Sequence, residues 1–445
     1  MSVKNVRHGI RLWIKKLMIS PQDVWFKKLI PANVRHLISK PLEKHVVRKT
    51  KIPKPYEPGR YPAGINLFGL LKSEIGLAQG AKLYARALEE GNIPHTLLNL
   101  DFIPDLPQED TTFDDRLTAD NKYAINLTHI NPPQWLDALG TFPQDYFDRH
   151  YNIGIFQWEL ETIPDDWKPL FDYVDEVWTP SAFTARTMRK ETDKPVIPVL
   201  YGIETPCDES LTRADFGLSD DDFIVLMMFD SNSYASRKNP GAAIDAFREA
   251  YGDNPEHVKL VVKIHNPKPE DIAFVEEHIG GKAGYTLITE RMDKERLNSL
   301  IRLCDVFISM HRAEGFGLVM AEAMALGTPA VATGWSANTE FMPEEASCPV
   351  RYTLIPVNGG YQFDNGELMW ADPDVHHAAE YLKRLRDDPE YYRQKAEAGK
   401  KYIEENREAS NDYHREYMRK YREKNREKYN EYQRAYRQLG KETKE

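Results

Sequence analysis

The feature that most constrains the fold is a glycine-rich turn between a predicted strand and a predicted helix, within residues 312–340 (RAEGFGLVMAEAMALGTPAVATGWSANTE). The apolar string FIS comes just before it, and Gly315 and Gly317 form a turn where backbone can approach a ligand closely. The helix begins at once, so its unpaired N–H groups near Leu318 and Val319 would present partial positive charge to an anion such as a diphosphate. This pattern predicts an anion site in an α/β domain.

Two carboxylates flank this turn, Glu314 and Glu322, with seven residues between them. Glu322 lies one helical turn beyond the helix start, where it could accept hydrogen bonds from sugar hydroxyls of a phosphorylated ligand. The alternative is an ordinary strand-to-helix turn in which Glu322 is a solvated helix residue.

The string E-G-F-G-x4-E-A-M-A-x-G-x-P-x-V-A resembles the donor-site signature of retaining, nucleotide-sugar-dependent glycosyltransferases of the large fourth sequence family. Weaker family-like strings extend over roughly residues 60–380. The resemblance implies that Glu314 contacts the donor sugar and Glu322 the nucleotide ribose. It also implies that the hexose is lined by the backbone of Gly315, Phe316 and Gly317.

Length and composition agree with this interpretation. A chain of 445 residues is too long for one ordinary domain and suits two α/β domains with extensions. The cysteines are odd in number, widely spaced and without a CxxC pair, which indicates a reducing compartment and neither a disulfide framework nor a zinc site: Cys207, Cys304 and Cys348. We expect no metal and no cofactor other than the nucleotide-sugar donor substrate.

The chain combines a basic beginning with an acidic body. Residues 1–54 hold fourteen Lys/Arg against two acids, a charge of +12, which leaves −22 for the remainder. Lysines interrupt every apolar run, so the segment predicts neither a transmembrane helix nor a secretory signal. Three interpretations stay open: an interfacial helix on an anionic membrane through residues 1–50, an arm packed on the body, and nucleic-acid binding, which is the least favoured.

Strand-like apolar runs alternate with helical or loop segments after a proline-rich linker, as a parallel sheet requires. The resemblance implies a GT-B type of α/β fold, with two Rossmann-like domains facing across a cleft. We predict a basic amphipathic extension, an acceptor domain, a donor domain and a charged helical tail, at residues 1–55, 56–203, 204–385 and 386–445.

Two strings of the first domain supply candidate site residues. His129 ends a predicted strand beside two prolines and resembles the cleft histidine that many relatives place beside the donor hexose. Trp158 and Glu159 belong to a W-E-x-E string found in a subset of these enzymes, and could stack on an acceptor sugar and bind its hydroxyls. The alternatives are a structural histidine, a core tryptophan and a surface glutamate.

The second domain supplies cations. Arg237 and Lys238 precede a predicted helix and are positioned for two contacts to a diphosphate. Cations at a helix start are unfavourable unless an anion is present, which favours a functional pair over a merely solvated one. The family carries a similar basic pair, but its arginine usually lies immediately after the preceding strand, and Arg237 is displaced from that position. Lys263 lies in a mainly apolar strand, and Glu340 ends a loop at the donor edge where a structural role is expected.

The tail carries a tyrosine stripe at helical spacing with almost no aliphatic residues. We interpret it as a solvated or self-associating helix, with nucleic acid or anionic lipid as the alternative partners.

The resulting prediction is a cytoplasmic hexosyltransferase, peripheral on a membrane if the basic segment binds one. It would move a sugar with retention from a nucleotide diphosphate sugar to a glycan or glycolipid, as in polysaccharide biosynthesis. His129, Glu314 and Lys238 would act at the reacting centre. Two alternatives stay open: an epimerase or sugar phosphorylase on the same scaffold, and a non-enzymatic protein that binds membrane or nucleic acid through its basic ends.

Overall fold

The computed structural model describes residues 51–103, 106–358, 361, 363 and 366–424. The basic segment at 1–50, with its predicted membrane helix, and the tail tyrosines beyond residue 424 lie outside these ranges. Within them, every helix is too short or too polar to cross a lipid bilayer.

The first half of the chain is a parallel sheet of six strands in the order β2-β1-β3-β4-β5-β6. The strands are β1 (Ile65–Gly69), β2 (His95–Asn99), β3 (Ile125–His129), β4 (Tyr151–Ile155), β5 (Glu176–Thr179) and β6 (Val196–Pro198). The helices are α1 (Gly76–Glu90), α2 (Pro132–Thr141) and α3 (Ala182–Arg189), with 3₁₀ segments at Gln144–Tyr146 and Asp165–Tyr173. Strands β1 and β3 are buried along their whole length, because helices cover both faces of a parallel sheet.

The second half repeats this architecture, with strand order β12-β11-β10-β7-β8-β9. Its strands are β7 (Phe223–Asp230), β8 (Val258–His265), β9 (Tyr285–Ile288), β10 (Val306–Ser309), β11 (Ala330–Thr333) and β12 (Cys348–Val350). Its helices are α4 (Ala235–Lys238), α5 (Pro240–Tyr251), α6 (Pro269–Ile279), α7 (Lys294–Leu303), α8 (Leu318–Ala325) and α9 (Val375–Asp387). Shorter 3₁₀ turns lie at Arg213–Phe216, Ser231–Ser233 and Ala337–Glu340. All strand pairs within both six-stranded sheets are parallel, as the alternation of elements predicted.

Two elements extend this plan. An antiparallel hairpin joins β13 (Tyr352–Pro356) to β14 (Met369–Pro373), and the sequence pattern did not predict it. The tail helix α10 (Pro389–Lys424) confirms the predicted helix as far as the structure describes it.

Residues 70–75 form a loop between β1 and helix α1, which begins at Gly76. This loop contacts the second half, where the carbonyl of Glu74 accepts a hydrogen bond from His265 Nε2 at 2.7 Å. The carboxyl ends of both parallel sheets therefore face one cleft, which is where ligands bind in open α/β sheets.

Candidate active site

The glycine turn lies between β10 and α8, as predicted. Gly317 adopts φ +103°, a left-handed conformation that side chains rarely tolerate, and it directly precedes α8. Gly315 meets the other half of the protein, since a Cβ there would lie 3.1 Å from the backbone oxygen of Trp158. Residues 313–317, which we call the donor loop, are therefore held against the first half. Leu318 and Val319 open α8 and are half-buried.

The structure brings Glu314, Arg237 and Lys238 together. Lys238 Nζ forms an ion pair with Glu314 Oε1, and Arg237 Nη1 lies 3.4 Å from Glu314 Oε2. Arg237 Nη1 also donates to the carbonyl of Ala313 at 2.7 Å. Burial by itself would raise the pKa of the Glu314 carboxyl, but the two cations outweigh it and lower that pKa to about 2. The cluster is therefore a charged site in a water-poor position, at the start of a helix.

A fourth charged group comes from the first half. Glu159 Oε1 lies 3.4 Å from Arg237 Nε and accepts a hydrogen bond from the Tyr361 hydroxyl at 2.8 Å. Tyr361 belongs to the connection between β13 and β14, and its ring packs edge to face on Tyr234, with centroids 5.2 Å apart. No sequence motif marks Tyr361 as a site residue, because only the fold of the hairpin brings it to Glu159.

Trp158 contributes its backbone and not its ring. The indole is 2% exposed and packs edge to face on Trp167 and Phe363, with centroids 4.8 and 5.2 Å away. Its Nε1 donates to the carbonyl of Thr162 at 2.7 Å. The predicted stacking on an acceptor sugar is thus corrected: the ring belongs to the core because neighbouring aromatic rings cover it.

His129 ends β3 and is fully buried. Its Nε2 lies 2.9 Å from the Tyr201 hydroxyl, which also accepts a hydrogen bond from Gln157 Nε2 at 2.5 Å. The Tyr201 ring packs edge to face on Phe316, with centroids 5.0 Å apart. His129 therefore reaches the donor loop through Tyr201. Burial lowers the pKa of His129 to about 3, which keeps the imidazole neutral at physiological pH.

Glu322 lies on α8, one turn from the helix start, and is 2% exposed. Its Oε1 forms an ion pair with Lys294 Nζ at 2.6 Å, and Lys294 is the first residue of α7. Sequence reasoning did not single out Lys294, although a cation at a helix start is unfavourable unless an anion is present and could have marked this residue. In this structure, Glu322 has the cation of Lys294 as its partner beside the cleft.

The loop after β11 supports the cluster from behind. The backbone N–H of Glu314 donates to Ser336 Oγ at 2.9 Å. Glu340 accepts from the backbone N–H groups of Ala182 and Phe183 at 2.8 and 2.6 Å, so it links this loop to the start of α3. That contact agrees with the structural role expected for Glu340.

Lys263 is buried in β8, where its Nζ donates to the carbonyl of Ile264 at 2.9 Å. Burial lowers its pKa. In the segment 289–292, Arg291 forms an ion pair with Glu74 at 2.8 Å and so joins the two halves at the other side of the cleft.

Residues 225–362 match the family model described as glycosyl transferases group 1. A comparison with curated protein sequences gave no match. The segment match supports a glycosyltransferase of group 1, and it includes Arg237, Lys238, Glu314 and Glu322.

Solved structures agree in fold over most of the chain. Sucrose-phosphate synthase from Thermosynechococcus elongatus has a TM-score of 0.58 at 16% identity, covering 80% of this chain and 98% of that one. HepE from Anabaena in complex with UDP and glucose has a TM-score of 0.55 at 14% identity, covering 80% and 99%. Its UDP-glucose complex has a TM-score of 0.54 at 15% identity, with the same coverage. The chain therefore has the predicted GT-B fold of two Rossmann-like halves.

Proposed function

We propose that this protein is a retaining glycosyltransferase that moves a hexose from a nucleotide diphosphate sugar to a glycan or glycolipid hydroxyl. The observation that carries the proposal is the convergence of Arg237, Lys238 and Glu314 at the start of α8, across from Glu159. The buried cation of Arg237, the half-buried cation of Lys238 and a helix start suit a diphosphate leaving group. UDP and UDP-glucose bound to HepE support a nucleotide-sugar donor for this fold.

In the proposed reaction, the bond between the anomeric carbon and the diphosphate breaks, and negative charge grows on the departing oxygen. Arg237 and Lys238 stabilise that charge, together with the N–H groups that open α8. Glu314 accepts hydrogen bonds from the donor sugar, and Glu322 accepts them from the nucleotide ribose. When the substrate binds, each carboxylate gives up part of its present ion pair to form these hydrogen bonds. The oxygen of the acceptor hydroxyl forms the new bond to the anomeric carbon, on the face from which the diphosphate leaves. The leaving diphosphate accepts the proton of that hydroxyl, so no side chain has to act as general base or as nucleophile.

His129 contributes as a neutral group. Since it lies behind Tyr201, it orients the Tyr201 hydroxyl and, through the ring contact, Phe316 of the donor loop. The backbone of Gly315 and Gly317 gives the hexose close access. The glycan or glycolipid acceptor and the membrane location are proposed from the sequence alone.

The test is turnover of a panel of nucleotide sugars by the full chain, with linkage analysis of the product. We expect one donor to be consumed only with an acceptor, and the product to keep the anomeric configuration of the donor. Consumption without acceptor, or only with inorganic phosphate, would instead indicate an epimerase or a phosphorylase.

Two variants locate the site. Glu322→Gln should weaken nucleotide binding, and Lys238→Met should reduce turnover by about 100-fold because one charge-stabilising group is lost. Glu345→Gln, an exposed change on the neighbouring loop, is the control. The proposal is wrong if no donor is consumed and Glu322→Gln leaves nucleotide binding intact. Salt-sensitive binding to lipid or nucleic acid, unaffected by the change at Lys238, would then indicate a non-enzymatic protein.

A further inference from the structure

Glu159 is a carboxylate from the first half that lies against a cation of the second. Its Oε1 lies 3.4 Å from Arg237 Nε, while its side chain is only 20% exposed. Arg237 Nε is itself buried and has no closer hydrogen-bond acceptor among the described residues. The guanidinium is thus held between Glu159 on one side and Glu314 on the other.

The position of Glu159 is set by the packing of its neighbour. The carbonyl of Trp158 accepts a hydrogen bond from Thr184 Oγ1 at 2.7 Å and lies against Gly315 of the donor loop. Ser181 Oγ donates to the carbonyl of Gly315 at 3.0 Å. With the indole buried as well, the chain at 158–159 is docked on the donor loop, so its carboxylate cannot leave Arg237 unless its side chain turns or the halves separate.

The charges explain why this contact bears on function. Two cations, Arg237 and Lys238, face two carboxylates, Glu159 and Glu314, in a region that excludes most water. The diphosphate and the Glu159 carboxylate are both anions, so a diphosphate that enters this cluster has to share the Arg237 cation with Glu159. The Tyr361 hydroxyl donates a hydrogen bond to Glu159. This bond still satisfies part of the Glu159 carboxylate when the diphosphate takes its share of Arg237.

We propose that Glu159 is a positioning residue for the diphosphate subsite: it fixes the guanidinium of Arg237 from the opposite half and competes with the diphosphate for it. The inference rests on the proposed function, and it replaces the expected role of Glu159 as a ligand of acceptor hydroxyls. Removal of the negative charge frees Arg237, so diphosphate binds more tightly. The freed guanidinium is less well placed for the departing phosphate oxygen, so turnover slows.

The experiment measures binding of UDP, GDP and ADP to the full chain by calorimetry, in wild type and in Glu159→Gln. We expect the dissociation constant of the diphosphate that binds best to fall about fivefold, and kcat for the donor to fall about tenfold without a rise in its KM. Glu159→Asp keeps the charge and should restore the wild-type affinity and part of kcat. Glu161→Gln, an exposed change two residues along the same segment, should alter neither.

The outcomes separate the possible roles. An unchanged dissociation constant with a raised acceptor KM would make Glu159 an acceptor ligand and overturn the inference. A raised dissociation constant with a lowered melting temperature would make it a merely structural residue and also overturn it. If none of the three diphosphates binds the wild type, the proposed function fails and the inference with it, whereas binding that Glu159→Gln leaves unaltered removes the inference alone.

Discussion

Ser336 has a strained backbone conformation and forms a hydrogen bond that anchors Glu314. Its φ of 76° and ψ of −151° fall in a region that essentially only glycine adopts. Its hydroxyl accepts the backbone N–H of Glu314 at 2.9 Å, and its carbonyl accepts from Thr339 Oγ1 at 2.7 Å. A glycine would relieve the strain but could not anchor Glu314, so the side chain accounts for the strained conformation.

At Ser336, a glycine variant should be more stable than an alanine variant, which reverses the ordinary order of the two. Ser336→Ala keeps the strain and loses the hydrogen bond, so we expect the free energy of unfolding to fall by about 1–2 kcal/mol. Ser336→Gly relieves strain of about 1–3 kcal/mol, which offsets that loss. Both should lower donor turnover, since Glu314 loses its anchor. Urea unfolding checks the order, and a glycine variant less stable than the alanine variant would contradict this account.

Buried histidines should make the protein sensitive to mild acid. Burial lowers the pKa of His129 to about 3 and the pKa values of His150 and His311 to about 4. The unfolded chain therefore binds more protons below pH 6.5, and stability is lost as pH falls from 6.5 towards 4. Each histidine should lower the free energy of unfolding by about 2 kcal/mol between pH 6.5 and pH 5.

Urea unfolding at pH 7.5, 6.5 and 5 measures this dependence. His129→Gln, whose amide can still reach the Tyr201 hydroxyl, should flatten the dependence by the share of one histidine. His257 is exposed, so His257→Gln is the control and should leave the slope unchanged. Equal slopes in wild type and in the His129 variant would disprove the assignment.

At the scale of elements, helix α3 begins on groups from both halves of the protein. Ser181 is its N-cap, with its Oγ accepting a hydrogen bond from the backbone N–H of Thr184 at 3.1 Å. Glu340 satisfies the N–H groups of Ala182 and Phe183. A carboxylate at a helix start also interacts favourably with the helix dipole. Helix α3 therefore joins the halves beside the donor loop.

Loss of this contact should destabilise the protein. Glu340→Ala leaves two N–H groups without their acceptor, and we expect a fall of about 2 kcal/mol in the free energy of unfolding. Glu345→Ala, on an exposed position five residues later, should change it by less than about 0.5 kcal/mol. Thermal and urea unfolding of the two variants provide the comparison. Equal stability would show that water replaces Glu340 at the start of α3.

The elements differ in how well the sequence predicted them. The parallel strands are nearly continuous apolar runs, which reflects burial on both faces, and the alternation of such runs with helical segments predicted them. The hairpin β13–β14 gave no such signal because β13 is exposed along most of its length, with Tyr352 and Leu354 exposed at 39% and 45%. Tyr361 was missed with it.

At the scale of the whole molecule, α10 returns from the second half to the first. Ile403 is buried at 3% exposure within a cluster that includes residues of both halves. Arg407 forms ion pairs with Glu90 and Glu204 of the first half, all partly exposed. Partly exposed ion pairs contribute little to stability, whereas a buried aliphatic side chain contributes a good deal.

Two substitutions in α10 should therefore differ in effect. Ile403→Ala should lower the free energy of unfolding by about 2–4 kcal/mol, because it leaves a cavity between packed elements. Arg407→Ala should lower it by less than about 1 kcal/mol. Urea unfolding of each variant measures both values. A larger loss for Arg407→Ala would mean that the ion pairs, and not the burial, hold α10 to the first half.

The sequence by itself determined the features that depend on local spacing. Periodicity and backbone preference act over a few tens of residues and can be recognised in the sequence. They predicted the two α/β halves, the glycine turn, the start of α8 and the separation of Glu314 from Glu322. The sequence also indicated an anion site from the place of Arg237 and Lys238 just before a predicted helix, whereas the structure makes them the last two residues of α4, ahead of α5.

Only the tertiary structure decided which of these groups meet. Glu159 and Arg237 are joined across the cleft, Tyr361 reaches Glu159 over a separation of 202 residues, and the Trp158 ring is turned into the core. Such contacts result from how the two halves and the hairpin pack on one another. The spacing of side chains along the sequence does not predict that packing. The same physical reason places Glu159 against Arg237, although its sequence motif suggested a contact with the acceptor.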